Sequence, residues 1–233
     1  MFTIEPQRYI SKVFAAWAFF LIILSLYAGM YPTLLAAPVG IFLVGLFFCA
    51  VQCAYRTERL STYGSFLMFC NLAIGPALAA LGLMIVFHKQ MHLGAGMSAG
   101  LSVLPALATA GGYAALYAWS SPVSPLHFND TRVEVGEMPC DSRLLAGTGA
   151  GLGVLLGPFL IAYRSTATLL VLLFLALSVF MLVYHRHNIT ALRTLKAREE
   201  REGVYYRFME LEAIRQKRMA SVIGRLFKPQ RHN

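Results

Sequence analysis

Charged residues are scarce in this 233-residue chain: Asp, Glu, Lys and Arg make up 13 % of it, against roughly 25 % in soluble globular domains. Five windows contain no charged residue, namely 13–54, 64–87, 94–120, 144–163 and 165–184. A helix needs about 20 mainly apolar residues to cross the hydrocarbon layer, and the first window is long enough for two. The sequence therefore excludes an ordinary soluble domain and predicts an all-α polytopic membrane protein with six transmembrane helices.

Ionisable side chains are missing from all six predicted spans. Proton- and ion-coupled pumps usually carry such groups inside the membrane, so this absence argues against a proton-driven transporter. The chain also lacks a serine elbow, a metalloprotease His-Glu motif and a phosphate-binding loop. The glycine-rich string from Gly147 to Gly153 has no preceding strand and no acidic residue about 20 positions later, as a dinucleotide site would require. We therefore predict no catalytic residues and no cofactor.

Cysteine is also infrequent, with four in the chain. Cys49, Cys53 and Cys70 belong to the cytoplasmic halves of predicted spans two and three, and Cys140 to a cytoplasmic loop, so structural disulfides are not expected. No metal site is predicted, although two clusters leave that question open. They are the three membrane cysteines and, for copper, the group His88, Met91, His92 and Met97.

Positive charge is distributed unevenly, since residues 185–233 hold twelve of the twenty Lys and Arg residues. With both termini in the cytoplasm, only Lys89 and Arg164 lie on the exterior side, as the positive-inside rule favours. We therefore predict a bacterial inner (cytoplasmic) membrane protein. Its parts are a cytoplasmic lead (1–12), a transmembrane domain (13–184) and a basic cytoplasmic tail (185–233). The net charge of +9 lies beside membrane helices, which favours contact with anionic lipids over nucleic acid.

Glycine and proline are frequent in the predicted spans. Overlapping small-xxx-small patterns in span five predict close helix packing; the residues are Gly147, Gly149, Gly151, Gly153 and Gly157. Gly-Pro pairs in spans three and five predict a kink in each helix. The alternative is a pair of helix breaks that line a passage, whose residues would be Asn71, Gly75, Pro76, Gly157 and Pro158. Pro105 and Gly111-Gly112 predict interruptions of span four.

The tail contains no proline between Thr190 and Lys228, and its apolar residues recur at helical spacing. Gly203 predicts a division into two helices, of which the second, 204–228, would be basic and amphipathic. Such a helix can dock on a partner or on the inner membrane surface. The predicted docking residues are Arg207, Phe208, Leu211, Arg215, Arg218, Val222 and Leu226. The one sizeable loop, 121–143, is predicted to be a solvated acidic loop whose charge balances that of the basic tail. The alternative is a metal or catalytic cluster of a membrane-embedded enzyme, formed by His127, Asp130, Glu134 and Glu137.

These features predict a non-enzymatic subunit of a larger inner-membrane assembly, such as a secretion, conjugation or transport machine. Its partners would be other membrane subunits and anionic lipids, with self-association also open. The alternative is a small channel or facilitator with a passage near the Gly-Pro pairs.

Overall fold

The structure, a computed structural model, describes residues 8–89, 91–119, 126–129, 131–135, 147–151, 154 and 166–221. This part of the chain is mostly helical, at 84 %. Its helices include α1 (Tyr9–Met30), α2 (Pro32–Val51), α3 (Leu60–Lys89), α4 (Ala95–Ser102), α5 (Leu104–Ala118), α6 (Thr166–Tyr184), α7 (Arg186–Glu202) and α8 (Leu211–Ala220). A π-helical turn, Gln52–Arg56, extends α2. The strands are β1 (Leu126–Asn129), β2 (Arg132–Val135) and β3 (Arg207–Phe208).

Four helical segments are long and apolar enough to cross a membrane: α1, α2 with its π turn, α3, and α4 together with α5. The bent pair of α6 and α7, with an angle of 50°, makes a fifth candidate. Large apolar side chains such as Ile22, Ile41 and Phe48 are exposed on these helices, as expected of a surface that faces lipid. The prediction of a helical polytopic membrane protein is thus confirmed at this level. Most of the fifth predicted span, 144–163, lies outside the described residues.

Helix α3 is the central element, because it packs against α1, α4, α5 and α6. Its contact with α6 is very close: a Cβ added to Gly75 would lie 2.5 Å from the Ser178 hydroxyl oxygen, and one on Gly82 would lie 2.9 Å from a Val171 methyl group. These glycines let the two backbones approach where lipid supplies no hydrophobic driving force.

The Gly75-Pro76 pair does not interrupt its helix. Helix α3 runs from Leu60 to Lys89, with Pro76 inside it. Both Gly75 and Pro76 are buried, and Ser178 fills the space beside Gly75.

Span four is interrupted instead, as its proline predicts. Helix α4 ends at Ser102 and α5 begins at Leu104, with Pro105 in the first turn. Proline is tolerated there because an N–H group in the first turn has no partner within the helix. Helix α5 continues through Gly111-Gly112, so the second predicted interruption of this span is wrong.

Helices α1 and α3 begin, and α2, α5 and α6 end, at one end of the bundle, which we call the basic end. The backbone N–H of Leu60 donates to Tyr206 there, and the tail cations Arg193 and Arg218 bind the ends of α5 and α2. At the opposite end, short connections join α1 to α2 and α3 to α4, and the Tyr31 hydroxyl contacts His88 there. The described segments that were predicted to be cytoplasmic therefore share one end.

The loop after α5 is not simply a solvated loop, because β1 and β2 form an antiparallel hairpin within it. Strand β3, from the tail, pairs in parallel with β2, so the sheet has the order β1-β2-β3. This small sheet corrects the all-α prediction. The second tail helix begins at Leu211, not at residue 204, since Arg207 and Phe208 belong to the sheet. Helix α7 ends at Gly203, as predicted, and this glycine adopts a left-handed φ of 66°.

We predict that Gly75→Ala destabilises the purified chain by about 1–3 kcal/mol, because the new methyl group would overlap Ser178. Thermal unfolding in detergent would measure this. Gly45→Ala is the matched control: nothing described lies within 4 Å of that position, and alanine is the better helix former. Equal melting temperatures for the two variants would contradict the close packing of α3 on α6.

Candidate functional site

The tail folds back onto the ends of α1, α2 and α3. We call this contact the tail interface; it comprises Tyr206, Phe208, Leu211, Ile214 and Arg218 on the tail and Tyr9, Cys53, Ala54, Leu60 and Tyr63 on the bundle. Phe208 is 1 % exposed and Ile214 is fully buried. The first part of the apolar stripe of the tail, Phe208, Leu211 and Ile214, is therefore covered by the chain itself, whereas Met219 is exposed.

Three aromatic rings form the centre of the tail interface. Tyr9 and Tyr63 stack with their ring centroids 4.9 Å apart. Phe208 meets both rings edge-on, at 5.7 Å from Tyr9 and 5.5 Å from Tyr63. Edge-to-face arrangements of this kind are favoured by the charge distribution of aromatic rings. The strand residue Phe208 thereby packs against two tyrosines at the polar ends of α1 and α3.

Arg218 is the most buried of the tail cations that the structure describes, at 7 % exposed. Its Nε donates to the Ala54 carbonyl at 2.7 Å. Its Nη2 donates to the Thr57 carbonyl at 2.7 Å and to the Tyr9 hydroxyl at 3.1 Å. A longer contact of 3.4 Å reaches the carbonyl of Cys53, which also accepts the Tyr9 hydroxyl proton. We call this group of oxygen atoms the carbonyl cradle.

The carbonyl cradle exists because a helix ends there. The last carbonyl groups of a helix have no N–H partner within it, and they carry partial negative charge that favours a cation. The π turn closes with the Thr57 N–H donating to Gln52, and Thr57 itself is extended, so the following carbonyls accept from outside the helix. The planar guanidinium of Arg218 reaches several of them at once.

Helix α5 ends in the same way. Arg193, on α7, donates to the carbonyls of Tyr117 at 2.7 Å and Ala118 at 2.8 Å. Two arginines from different tail helices thus cap two different spans. Each one ties the tail to the bundle and satisfies carbonyl groups near the membrane boundary.

Ion pairs surround these contacts at the surface. Arg215 donates two hydrogen bonds to Glu58, at 2.7 and 2.8 Å, and this carboxylate raises the pKa of Arg215. Arg132 of the hairpin pairs with Glu212 of the tail at 2.8 Å. In this pair the hairpin contributes the positive charge and the tail contributes the negative charge, which is the reverse of the predicted acidic loop and basic tail. Exposed pairs are worth little individually, so they orient the tail more than they stabilise it.

The predicted docking surface must be corrected. Phe208, Leu211 and Arg218 are buried inside the chain, so these three residues are not an open surface. Arg207 and Arg215 keep exposed side chains, although Arg215 pairs with Glu58 and the backbone N–H of Arg207 donates to Thr131. The last two predicted residues, Val222 and Leu226, lie outside the described residues.

Three of the five predicted packing glycines lie within the described residues. Within the described part of the chain, no atom lies within 4 Å of a Cβ added to Gly147, Gly149 or Gly151. Gly153, Gly157 and Pro158 are outside the described residues. The close approaches found in the structure occur at Gly75, Gly82 and Gly112, and in the last case a Leu182 methyl group of α6 fills the space.

The remaining polar candidates are not gathered into one site. Asn71 is half-buried on α3, at the level of neither end of the bundle. Within the described ranges, no group of three His, Cys, Asp or Glu residues is arranged to hold a metal ion. His127 and Glu134 face each other across the hairpin, whereas Asp130 and Glu137 lie outside the described residues.

His185 occupies the bend between α6 and α7, just past the end of the apolar helix. It is 5 % exposed, and its Nδ1 accepts from the Asn188 side-chain amide at 3.1 Å. Burial lowers the pKa of His185 to about 4. The buried Oδ1 of Asn188 has no hydrogen-bond partner among the described residues.

The sequence pattern does not indicate that Tyr9, Tyr63 or Ala54 belongs to a site, and it marks Cys53 only as a member of the cysteine cluster. A usable signal was present for the tyrosines, because both stand at the polar ends of predicted spans near basic residues. Cys53 and Ala54, in the π turn, contribute backbone carbonyls to the carbonyl cradle, and a backbone contribution has no side-chain signature in a sequence.

Comparison of the chain with models of known protein families, with curated proteins and with solved structures finds no match.

Arg218→Met should release the end of the tail, because it leaves the carbonyl cradle without its donor. Each buried carbonyl that loses its partner costs about 1–3 kcal/mol. Hydrogen exchange would then be faster for the backbone amides of α8 than in the unmodified chain. Lys217→Met is the control, since Lys217 is the exposed neighbour. Unchanged exchange in the Arg218 variant would show that the cradle does not hold the tail.

Acid should destabilise the bend at His185. The folded chain holds this imidazole neutral down to a pKa of about 4, whereas the unfolded chain protonates it near 6.5. Protons therefore bind the unfolded state preferentially, and stability falls as the pH drops from about 6.5 to 4. Unfolding measured across this range should be less pH-dependent in His185→Gln than in the unmodified chain. His127→Gln, in the hairpin, should keep the original dependence; an identical profile for all three proteins would contradict this assignment.

Proposed function

We propose that this chain is a non-enzymatic subunit of a larger assembly in the bacterial inner membrane, such as a secretion, conjugation or transport machine. It would contact other membrane subunits, or further copies of itself, through its helices. In this proposal the chain has six spans and both termini are cytoplasmic.

The observation that supports an assembly role best is a set of glycines on which none of the described residues packs. Gly96 and Gly100 stand four residues apart on α4, and Gly147 and Gly151 repeat this spacing. No described atom lies within 4 Å of a Cβ added at any of these positions. Glycine weakens a helix unless its small size is used, and in membranes that use is close contact between helices. These positions therefore suit a neighbouring helix from another subunit.

The surface around the first glycine pair continues along the span. Val103 and Leu107 follow Gly100 at helical spacing, and both are exposed. A shallow groove at Gly96 and Gly100 followed by two larger apolar residues offers a partner helix both a close approach and apolar contact.

The course of the chain supports six spans. Helix α6 is antiparallel to α3, since Val171 meets Gly82 and Ser178 meets Gly75. Thr166 is thus at the end opposite the basic end, whereas β2 pairs with the tail at the basic end. Residues 136–165 connect these two ends and include the charge-free window 144–163.

The folded tail changes where partners are expected. Its residue Phe208 already contacts Tyr9 and Tyr63, so this part of the tail is not open to a partner. Membrane-facing helix surfaces are the better candidates for contacts between subunits.

The alternative, a small channel or facilitator, has less support. A passage beside Asn71 would run past Gly75, where the α6 residue Ser178 is in direct contact with α3. The tail also covers part of the basic end of the bundle.

Replacing both Gly96 and Gly100 by leucine should dissociate the assembly without unfolding the chain. The large side chains would block a partner helix, but nothing described in the chain itself stands in their way. Native gel electrophoresis of mildly solubilised membranes would compare the size of the complex that contains the tagged chain.

The matched control is Gly45→Leu in α2, another position with open space around it. We expect this variant to remain in the large complex. If the Gly96/Gly100 double variant also remains there, or if the unmodified chain migrates as a monomer, the proposed assembly role is wrong.

A further inference from the structure

An open cavity of about 410 Å³ lies at the basic end of the bundle, where the end of α7 meets the start of α3. We call it the α3–α7 cleft. It is lined by Ser61 on α3, by Lys196, Glu199 and Glu200 on α7, and by Gly203 and Tyr205 just after α7. One of these side chains is already engaged, because Glu199 accepts the backbone N–H of Tyr206 at 3.1 Å.

Three polar side chains of the cleft have no partner among the described residues. Ser61 is 6 % exposed, it lines the cleft, and no described residue hydrogen-bonds its hydroxyl group. Lys196 and Glu200 are exposed and stand four residues apart on α7, yet they do not pair with each other or with another described residue. Leaving a buried hydroxyl group unpaired costs free energy, so the cleft favours a ligand that hydrogen-bonds Ser61.

The cleft lies between two helix ends of opposite polarity. Ser61 belongs to the first turn of α3, where backbone N–H groups without partners carry partial positive charge. Glu200 belongs to the last turn of α7, whose final carbonyl groups carry partial negative charge. The helix ends therefore favour an anionic group near Ser61 and a cationic group near Glu200.

Charged side chains reinforce this polarity. Lys196 supplies a cation inside the cleft, and Arg59, just before α3, supplies another at its rim. The guanidinium carbon of Arg59 lies 3.1 Å from the centroid of the Tyr205 ring. An arginine stacked on an aromatic ring keeps the N–H groups at its edge for an anion. With Glu200 on the other side, the cleft is complementary to a ligand that carries both charges.

The level of the cleft matches that of lipid head groups. Gly75 stands at the middle of α3, and Ser61 is fourteen residues from it, which at 1.5 Å per residue is about 21 Å. A bilayer with its head groups is about 40–45 Å thick, so its polar surface lies at a similar distance from the mid-plane. Val204, between two lining residues, adds an apolar side chain that is 40 % exposed. A lipid satisfies these features better than a free solute.

We propose that the α3–α7 cleft binds the head group of a zwitterionic aminophospholipid, with its phosphate near Ser61 and Lys196 and its primary ammonium near Glu200. The inference uses the membrane placement of the proposed function but not its assembly role. A primary ammonium donates hydrogen bonds to carboxylate and carbonyl oxygens, as the lysine side chain does, whereas a quaternary amine has no N–H to donate. A head group of net negative charge would leave Glu200 without a cation. The cleft should therefore prefer phosphatidylethanolamine to phosphatidylcholine and phosphatidylglycerol.

Native mass spectrometry of the purified full-length chain in a neutral detergent tests this cleft without any partner subunit. The three lipids, with identical acyl chains, would be added together in equal amounts, and we expect preferential retention of phosphatidylethanolamine. Lys196→Gln should reduce its retention about fivefold, because one cation near a membrane surface contributes roughly that factor. Lys196→Gln/Glu200→Gln should abolish the preference, although the net charge of the chain stays the same. Glu200→Lys should turn the preference towards phosphatidylglycerol, because the carboxylate that paired with the ammonium becomes a second cation.

Two controls locate the effect. Glu210→Gln/Lys217→Gln also removes one exposed charge of each sign from the tail, at positions that do not line the cleft, and should leave the preference unchanged. Glycerophosphoethanolamine, which is the same head group without acyl chains, should not displace the lipid at the same concentration. Full displacement would assign the cleft to a soluble ligand instead.

Three further results would overturn the site: no preference for phosphatidylethanolamine in the unmodified chain, an unchanged preference in the Lys196/Glu200 double variant, or a loss of preference in the Glu210/Lys217 variant. Melting temperatures in neutral detergent should match that of the unmodified chain, since the replaced side chains are exposed. Should the double variant fail to fold, Glu200→Lys decides the question against Glu200→Gln, because the first should reverse the preference and the second should only weaken it. Because the chain is isolated, loss of lipid preference is distinguishable from loss of assembly.

Discussion

Unpaired backbone carbonyls at the ends of membrane helices are the constraint on which this structure depends. A span must end near the boundary, where its last carbonyl groups leave the protection of the helix. In this chain Arg218 binds those of α2 and Arg193 binds those of α5. Each arginine comes from the tail, so satisfying the helix ends also folds the tail. The basic end is therefore a small packed layer in which the sheet and α8 lie on the bundle.

Positive charge consequently has several uses in one molecule. In the sequence, its concentration in residues 185–233 sets the predicted orientation. In the structure, some of the same cations are hydrogen-bonded to carbonyl groups, some pair with carboxylates such as Glu58, and others, such as Lys12, face outward beside lipid-facing side chains. These roles differ in cost. Burying Arg218 is tolerable because four oxygen atoms and the helix end replace much of its hydration.

Glycine is likewise used in two ways. Gly75 allows α3 and α6 to touch, whereas Gly96 and Gly100 have nothing described beside them. A small-xxx-small pattern predicts that one face of a helix carries only small side chains and can be approached closely. The pattern contains no information about which helix packs against that face. The small-xxx-small spacing is present at Gly147 and Gly151, whereas the closest approach among the described glycines involves Gly75, beside which Ser178 of α6 lies. Helix α3 continues through the Gly75-Pro76 pair.

The sequence alone determined the helical spans, because the length of an apolar segment and its lack of charge are local properties of the sequence. Inside a bilayer such a segment forms a helix, which satisfies its own backbone hydrogen bonds. It also determined the end of α7 at Gly203 and the interruption before Pro105, since both depend on the backbone of one residue. Tertiary structure decided what covers the tail. Phe208 fits a helical stripe in the sequence, but its pairing with Val133 of β2 draws it into a strand. Arg218 is indistinguishable from its basic neighbours until the carbonyls of Ala54 and Thr57 are brought beside it. Contacts between residues more than 150 positions apart depend on how the spans pack, and no local pattern specifies that.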